Sequence, residues 1–189
     1  GFASAIGPFE LTPDETFRLP VGDVTRIDAF PARFPSSACA KDVEALLLKA
    51  KEDGKSYGGA AEVWVDGCPP NLGQPVFHKL KADLAAAFLS VGATSGIEIG
   101  DGFSATEAEG SEFHSRESIK SPYGGVRGGI STGERIRLRT AFKPTSSLMD
   151  VAKKGRHDPC IVPRAVPVLE AMTWIVLADH YLWAKTDRV

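Results

Sequence analysis

The stretch on which the rest of the chain is organised spans residues 124–160 and reads GGVRGGISTGERIRLRTAFKPTSSLMDVAKKGRHDPC. It opens with glycine pairs at positions 124–125 and 128–129, and no other part of the chain is so dense in glycine, basic and hydroxyl residues. Glycine lets backbone amides approach a ligand because no Cβ intervenes, and successive amides in a turn attract anions. The stretch therefore predicts an anion-binding loop.

The second half of this stretch supplies side chains that suit a phosphate and a proton transfer. The hydroxyls at positions 145–147 can donate to phosphate oxygens, and Lys143 adds a positive charge. Arg156 offers a planar guanidinium that matches a carboxylate or a phosphate. Asp158 is the carboxylate nearest to this basic group, and nearby positive charge favours the ionised form, which can accept a proton. These residues predict an anion site, with phosphate as the leading candidate and one carboxylate beside it.

Between the two halves, residues 135–142 alternate with the two-residue period of a β-strand. Arg135, Arg137 and Arg139 fall on one face of this strand. Three arginines on one face can line a channel for an anionic substrate, or they can face solvent or another subunit. The pattern leaves both alternatives open.

Outward from this stretch, periodicity predicts further strands and helices. The strands are predicted at residues 5–11, 23–30, 57–66 and 96–100, and the helices at 37–54, 74–90 and 164–185. The helices carry apolar residues at three- and four-residue steps, whereas the strands alternate and stay half-polar. Such an order of elements predicts the α+β class.

Residues 104–123 lack periodicity and are predicted to form a polar loop, which favours a mobile segment or a flap over the site. From this loop His114, Arg116 and Lys120 could close over an anion, and a solvated loop is the plainer alternative. His78, alone on the second predicted helix, is predicted to be solvated or to cap a helix.

Composition and charge exclude several classes of protein. The chain has 189 residues, of which 43% are hydrophobic and 24% charged, which is typical of a globular protein with a sizeable core. A net charge of −2 does not suggest nucleic-acid binding. No uncharged apolar run reaches membrane-spanning length. Cys39, Cys68 and Cys160 are odd in number and lack CxxC spacing, so they are predicted to be reduced thiols in a cytosolic-type compartment.

Several shorter motifs match the signatures of other protein classes, but the sequence around them does not fit those classes. Residues 129–133 match the G-x-S-x-G elbow of hydrolases, but a strand follows the serine where a helix is required. Residues 54–56, Gly-Lys-Ser, match the end of a nucleotide P-loop that lacks its first glycine. Residues 100–105 resemble a dinucleotide fingerprint without its helix. The histidine, aspartate and cysteine within 157–160 have no second cluster, so no metal site is predicted.

Taken together, the motifs resemble the C-terminal half of the chorismate synthase family. GGVRGGISTGE, AFKPTSS and GRHDPC, followed by RAVPVLEAMTWIVLADH, occur in the family's order. Two earlier segments agree, NLGQPVF at 71–77 and GIEIGDGF at 96–103. The resemblance covers residues 56–180 and is looser before them. Each motif alone is weak, and their occurrence in order makes the resemblance specific.

The resemblance implies a fold, a reaction and a cofactor. The fold is an α+β sandwich of β-α-β type, with antiparallel sheets around central helices, in which residues 1–189 form a single domain of a homotetramer. The reaction is the 1,4-elimination of phosphate from 5-enolpyruvylshikimate 3-phosphate to give chorismate, a lyase step of the shikimate pathway to aromatic amino acids. Reduced FMN is required, with NADPH as a candidate reductant. The implied compartment is the cytoplasm, or the plastid in a plastid-bearing eukaryote.

The resemblance also implies roles for individual residues. Asp158 is expected to manage a proton near the flavin. Contacts to FMN are expected at Gly92, Ala93, Gly128, Lys143, Pro144, Thr145, Ser146, Ser147 and Arg156. The chain departs from the family at Asn71, where glycine is usual, at Gln74, where glutamate is usual, and at 148–154, where the family has a longer connection.

Members of the family are longer, and their N-terminal half carries two histidines with an implied catalytic role. This chain is therefore expected to be a fragment, a processed product or one part of a split protein. Two hypotheses follow. The chain belongs to a chorismate synthase of greater length, or it is a non-catalytic FMN-binding, phosphate-binding or assembly module that needs its missing N-terminal half.

Overall fold

The computed structural model describes residues 1–19, 24–117, 121–146, 148–149 and 157–186. The contacts between residues divide the chain into two compact units. The first unit comprises Gly1–Glu62, Gly92–Gly96 and Thr140–Val168, and the second comprises Val63–Val91, Ile97–Arg139 and Leu169–Val189. The single domain expected over residues 1–189 stays a prediction.

Seven strands form two sheets within the described ranges. They are β1 (Phe2–Ile6), β2 (Phe9–Glu10), β3 (Gly59–Val65), β4 (Thr94–Ile99), β5 (Val126–Arg127), β6 (Ile130–Ser131) and β7 (Ile136–Phe142). The larger sheet has the order β2-β1-β3-β7-β4, and β5 pairs with β6 in a hairpin. β1 runs antiparallel to both β2 and β3. The strands predicted at 57–66, 96–100 and 135–142 are confirmed, whereas the single strand predicted at 5–11 is two strands, β1 and β2, that pair across a turn.

The helices of the described residues, together with these strands, confirm the α+β class that the order of elements predicts. They are α1 (Pro13–Phe17), α2 (Val24–Asp28), α3 (Ala40–Glu52), α4 (Leu80–Leu89), α5 (Gly110–Ser115) and α6 (Val162–Thr186), with 3₁₀ helices at Pro31–Arg33 and Gly102–Glu107. No helix in the described part of the chain combines the length and the apolar character that a membrane span needs.

α3 confirms the first predicted helix and ends where glycine permits it. Gly54 has a φ of 65°, which residues with a side chain rarely adopt. Its amide donates to the Lys51 carbonyl at 3.4 Å, and the Lys55 amide donates to the Ala50 carbonyl at 2.8 Å. These two bonds form a Schellman motif, which satisfies carbonyls at the end of the helix and turns the chain toward β3.

The second predicted helix, at residues 74–90, begins later than the periodicity indicates. α4 starts at Leu80, because the Leu80 amide donates to the distant Gly129 carbonyl at 2.8 Å, and the Gln74 amide donates to the His78 carbonyl at 2.8 Å in a turn before the helix. Val76 and Phe77 are consequently 65% and 87% exposed rather than part of an apolar face. Non-local structure overrides helical periodicity here.

Two further predictions are wrong. The strand predicted at residues 23–30 is replaced by α2, whose end is closed by the Phe30 amide donating to the Ile27 carbonyl at 3.1 Å. The loop predicted at 104–123 contains most of a 3₁₀ helix and all of α5. The carboxylate of Glu109 caps α5 by accepting hydrogen bonds from backbone amides of its first turn.

α6 confirms the last predicted helix and contains a proline that needs compensation. Pro167 has no N–H, so it cannot donate to the Pro163 carbonyl one turn earlier. Arg33 donates to that carbonyl instead, with Nη1 at 2.8 Å. Arg33 itself has a φ of 54° and pairs with Asp28 at 2.6 Å. A guanidinium therefore replaces the missing backbone donor.

This replacement predicts a coupling between Arg33 and Pro167. Arg33→Met should lower the free energy of unfolding by about 1 kcal/mol, because it leaves the Pro163 carbonyl without its donor. In a Pro167→Ala background the restored amide can take that carbonyl, so the cost of Arg33→Met should shrink. Chemical denaturation of the four proteins of this double-mutant cycle measures the coupling. An equal cost in both backgrounds would contradict it.

α1 begins with a reciprocal cap between Thr12 and Glu15. The Glu15 carboxylate accepts hydrogen bonds from the Thr12 amide and hydroxyl at 2.9 Å each, and from the Ser36 hydroxyl at 2.9 Å. These bonds, that from the Thr12 amide first, lower the pKa of Glu15. A lowered pKa means that the stabilisation is present above the unfolded pKa and is lost as pH falls through the folded one.

Replacement of this carboxylate should therefore flatten the acid side of the stability curve. Between about pH 5 and about pH 3, the unmodified protein should lose more unfolding free energy than Glu15→Gln does. Denaturant unfolding at several pH values measures the difference. Glu52→Gln, which changes an exposed carboxylate at the end of α3, serves as the control and should follow the unmodified curve.

Candidate functional site

Two loops of the first unit meet where β4 begins and β7 ends. The Lys143 amide donates to the Ala93 carbonyl at 3.0 Å, so the loop after β7 lies against the turn before β4. Ala93 has a φ of 71°, an uncommon value for a residue other than glycine. A Cβ on Gly92 would meet nothing within 4 Å. Three predicted cofactor contacts, Gly92, Ala93 and Lys143, thus lie close together.

The loop that follows β7 presents polar groups to solvent. Lys143, Pro144 and Ser146 are exposed. An exposed ammonium group and an exposed hydroxyl can both donate to an anionic group. Ser147 and Arg156, two further predicted contacts, lie outside the described residues.

Thr145 uses its side chain to connect this loop with the segment that carries Asp158. Its hydroxyl donates to the Asp158 carbonyl at 3.0 Å, and its own carbonyl accepts a hydrogen bond from the Ser56 hydroxyl at 2.8 Å. A hydroxyl has a single hydrogen, so in this arrangement Thr145 offers only lone pairs to a ligand. Donation from Thr145 to a phosphate would require the bond to Asp158 to break.

Asp158 borders a groove of about 300 Å³ in the first unit. Its Oδ1 lies 3.1 Å from Nη2 of Arg164, and the two side chains are 25% and 53% exposed. Glu44, Lys51 and His157 also line the groove. An ion pair this open contributes little to stability, so its main effect is to orient the carboxylate.

The pairing of Arg164 with Asp158 is absent from the sequence-based predictions, which give Arg164 no role beyond the start of the last helix. One signal could have indicated it. Arg164 lies in the first turn of α6, where the positive end of the helix dipole disfavours a cation. A basic residue at that position suggests an acidic partner nearby.

His157 is held through one ring nitrogen only. Nε2 lies 2.8 Å from the Lys55 carbonyl, and since a carbonyl only accepts, Nε2 must carry the proton. In the neutral imidazole Nδ1 is then an acceptor, and it is buried with no hydrogen-bond partner among the described residues. A buried polar atom without a partner is uncommon in folded proteins.

Two of the three cysteines are buried thiols of low reactivity. All three are free, and burial raises the pKa of the Cys68 and Cys160 thiols, so both stay protonated. Across the described ranges, no three His, Cys, Asp or Glu side chains are grouped so as to hold a metal ion.

In the second unit, the glycine-rich turn joins β5 to β6. Gly128 is exposed at the tip of this hairpin with a φ of 62°, and a Cβ there would meet nothing within 4 Å. The neighbouring Gly129 is buried, and its carbonyl accepts a hydrogen bond from the Leu80 amide at 2.8 Å. Gly128, the remaining predicted cofactor contact, is thus an open backbone position of the second unit.

Ser131 follows this turn and is a structural residue rather than a nucleophile. It is 3% exposed, its hydroxyl donates to the Pro69 carbonyl at 2.7 Å, and it accepts from the Leu72 amide at 2.8 Å. Because its donor and one acceptor site are both used, the match to the hydrolase elbow carries no chemistry.

The arginines next to and within β7 all have acidic partners. Arg135 contacts Asp66 through two nitrogens and lies over the Trp64 ring at 4.6 Å. The other pairs are Arg137 with Asp101 at 3.2 Å and Arg139 with Glu98 at 3.5 Å. Their charges are thus offset within the second unit. The role of this face, as a substrate channel, a solvated face or a subunit interface, stays a prediction.

The predicted flap over an anion also uses its polar groups internally. Arg116 pairs with Asp101 at 2.6 Å, and His114 is hydrogen-bonded to the Tyr123 hydroxyl. Lys120, the third residue of that prediction, lies outside the described residues.

Two histidines of the second unit share one carboxylate. His180, 2% exposed on α6, lies with Nε2 2.9 Å from Oδ2 of Asp83 on α4, and Nδ1 of His78 lies 3.3 Å from the same oxygen. His78 is therefore partnered rather than only solvated. His180 has the structural partner that its burial requires.

The fold and these contacts define an α+β protein in which an exposed loop carrying Lys143 and Ser146 is joined to a paired carboxylate. Comparison with known proteins identifies the family. The family model described as "Chorismate synthase" matches residues 4–182. The chain belongs to the chorismate synthase family.

Individual relatives and a solved structure agree with this assignment. The chorismate synthase of Bdellovibrio bacteriovorus is 62% identical over 189 residues, which cover all of this chain and 54% of that protein. That of Leptospira biflexa is 40% identical, over 98% of this chain and 54% of that protein. A crystal structure of a chorismate synthase superposes with a TM-score of 0.80 at 29% identity, over 97% of this chain and 56% of the other. The chain spans about half the length of the curated relatives it matches.

The position of Ser131 predicts a loss of stability on substitution. Ser131→Ala should lower the free energy of unfolding by about 1–3 kcal/mol, because it leaves the buried amide of Leu72 unsatisfied and removes the hydrogen bond to the Pro69 carbonyl. Ser90→Ala is the matched control, since the Ser90 hydroxyl is exposed and contacts only a carbonyl of its own helix. Denaturant unfolding of both variants tests the prediction, and equal losses would refute it.

Proposed function

We propose that this chain forms the C-terminal part of a chorismate synthase. The reaction is the 1,4-elimination of phosphate from 5-enolpyruvylshikimate 3-phosphate to give chorismate, with reduced FMN bound. One observation beyond family membership carries the proposal. The loop that presents Lys143 and Ser146 is tied to the acidic residue Asp158 by the Thr145 hydroxyl, at 3.0 Å from the Asp158 carbonyl.

The residues present fit the anionic cofactor. Lys143 and Ser146 are exposed donors suited to a phosphate, and Gly92 leaves open space beside them. When bound, reduced FMN supplies the electron-rich ring system on which the family's redox-neutral elimination depends.

The elimination asks three things of this chain. The phosphate leaves with the electrons of its C–O bond, and positive charge beside the departing group lowers the cost of that departure. The substrate loses one proton, and the Asp158 carboxylate is placed to hold or accept it. Arg164 keeps that carboxylate oriented at the edge of the groove.

Partners and assembly follow from the same proposal. The substrate is a small anionic molecule, the complete protein is a homotetramer, and NADPH is a candidate source of electrons for the flavin. The acid–base histidines expected of the family belong to the half of the relatives' length that this chain does not match. The cytoplasm is the proposed compartment, or the plastid in a plastid-bearing eukaryote.

A second candidate is a non-catalytic module that binds FMN or phosphate, or serves assembly. It is favoured by the coverage of about half of each curated relative, because a chain of that extent holds only part of a site. The two candidates differ in a direct test. Under anaerobic conditions, the chain is mixed with reduced FMN and 5-enolpyruvylshikimate 3-phosphate, and flavin binding is followed together with chorismate formation. Binding without product favours the module, whereas product favours the enzyme.

Asp158 provides the sharpest test of the enzymatic reading. In the complete protein, Asp158→Asn should lower kcat by about 100-fold or more while reduced FMN still binds, because the amide cannot take the proton. Asp42→Asn, which changes an exposed carboxylate in the first turn of α3, should keep the unmodified rate. Unchanged turnover in Asp158→Asn would remove Asp158 from the mechanism.

A further inference from the structure

Residues 54–58, here called the anchoring segment, connect α3 to β3 beside the candidate site. Four consecutive members each make a hydrogen bond to residues within 145–159. Two members accept through their carbonyls: Gly54 from the Met149 amide at 2.8 Å, and Lys55 from His157 Nε2 at 2.8 Å. Two members donate: the Ser56 hydroxyl to the Thr145 carbonyl at 2.8 Å, and the Tyr57 amide to the Pro159 carbonyl at 2.7 Å. All of these residues belong to the first unit.

The fifth member, Gly58, brings the backbones into direct contact. A Cβ there would lie 2.5 Å from the Phe142 carbonyl oxygen and 3.2 Å from Cδ of Pro144. No side chain fits at that distance, so glycine allows the anchoring segment to run against the end of β7 and the start of the loop that follows.

These contacts reach both parts of the candidate site. Ser56 holds the loop that carries Lys143 and Ser146, through the carbonyl of Thr145. His157 and Pro159, the two neighbours of Asp158, are held by Lys55 and Tyr57. The loop and the carboxylate are therefore attached to the same few residues of backbone.

We propose that the anchoring segment sets the separation between the loop at 143–146 and Asp158, and that Ser56 is its positioning residue. This proposal rests on the function proposed above. A separation set in this way does not depend on the length of the chain that connects the loop to Asp158. That connection includes residues 148–154, where the resemblance implies that the family has a longer segment. It also gives Gly-Lys-Ser at 54–56 a role other than the nucleotide loop.

Ser56 acts through Thr145 rather than on the ligand. Its hydroxyl hydrogen is directed to the Thr145 carbonyl, and the residue is half-buried. Loss of this bond removes one attachment of the loop at 143–146, which carries the predicted cofactor contacts. Asp158 is still held through its two neighbours and through Thr145. Weaker cofactor binding with a smaller change in kcat is the expected signature, because a purely structural defect lowers the amount of active protein but not its affinity.

The test uses the complete protein with Ser56→Ala, Ser56→Thr and Ser95→Ala. Ser95 is the matched control, because its hydroxyl also donates to a backbone carbonyl of the first unit, that of Ala141 at 3.3 Å. Ser56→Ala should raise the Kd for reduced FMN roughly 3- to 10-fold, the loss expected for one hydrogen bond. Hydrogen exchange at residues 143–149 should become faster. Ser56→Thr, which retains the hydroxyl, should restore both, and Ser95→Ala should change neither.

The outcomes separate this proposal from the function on which it rests. If the unmodified protein binds reduced FMN and Ser56→Ala binds it equally well with unchanged exchange, the anchoring role is overturned. If the unmodified protein neither binds FMN nor forms chorismate, the proposed function fails, and exchange at 143–149 alone decides the anchoring role.

A second pair of variants covers the case in which Ser56→Ala does not fold. Thr145→Val removes the bond to the Asp158 carbonyl while keeping the shape of the side chain, and Thr145→Ser keeps the hydroxyl. Thr145→Val should lower kcat by roughly 3- to 10-fold, and Thr145→Ser should recover it. Equal kcat values in the two variants would overturn the link between loop and carboxylate.

Discussion

The hydrogen bond from the Thr145 hydroxyl to the Asp158 carbonyl, 3.0 Å long, is the contact on which the candidate site depends. It joins a loop with exposed donors to the segment that carries the carboxylate. The bond costs the loop a donor, since the Thr145 hydrogen is no longer free for a phosphate. The bond instead fixes the position of the loop relative to Asp158. A site that holds a phosphate and a proton acceptor together depends more on their relative position than on one additional donor.

The charges of the chain divide in a way that supports this arrangement. Arg135, Arg137 and Arg139 have acidic partners within the second unit, so their presence in the sequence overstates the positive field they provide. Lys143 lies exposed on the loop of the first unit. An exposed cation can respond to an incoming anion, whereas a bidentate pair such as that of Arg135 with Asp66 must first be broken.

Local rules predicted those elements whose ends are determined locally. Gly54 ends α3 because the Schellman motif needs only the residues of that turn. β7 follows from strict alternation, with Leu138 buried and Arg137 partly exposed. The first residues of the helix predicted at 74–90 failed because the amide of Leu80 bonds to Gly129, far along the chain, which no periodicity at 74–90 encodes.

The same distinction applies to the candidate site. Residue types and spacing point to the loop and Asp158, because lysine, hydroxyl and carboxylate side chains suit phosphate chemistry and can be recognised in the sequence. The anchoring segment was invisible, because its contacts to 145–159 run mostly through backbone carbonyls and amides, which every sequence contains. The Gly-Lys-Ser sequence of this segment does not fit a nucleotide-binding loop, because the preceding residues lack the motif's first glycine. Excluding that motif assigns no role to Ser56. A motif that fails its familiar context can still mark a position where the backbone must pass close to a site.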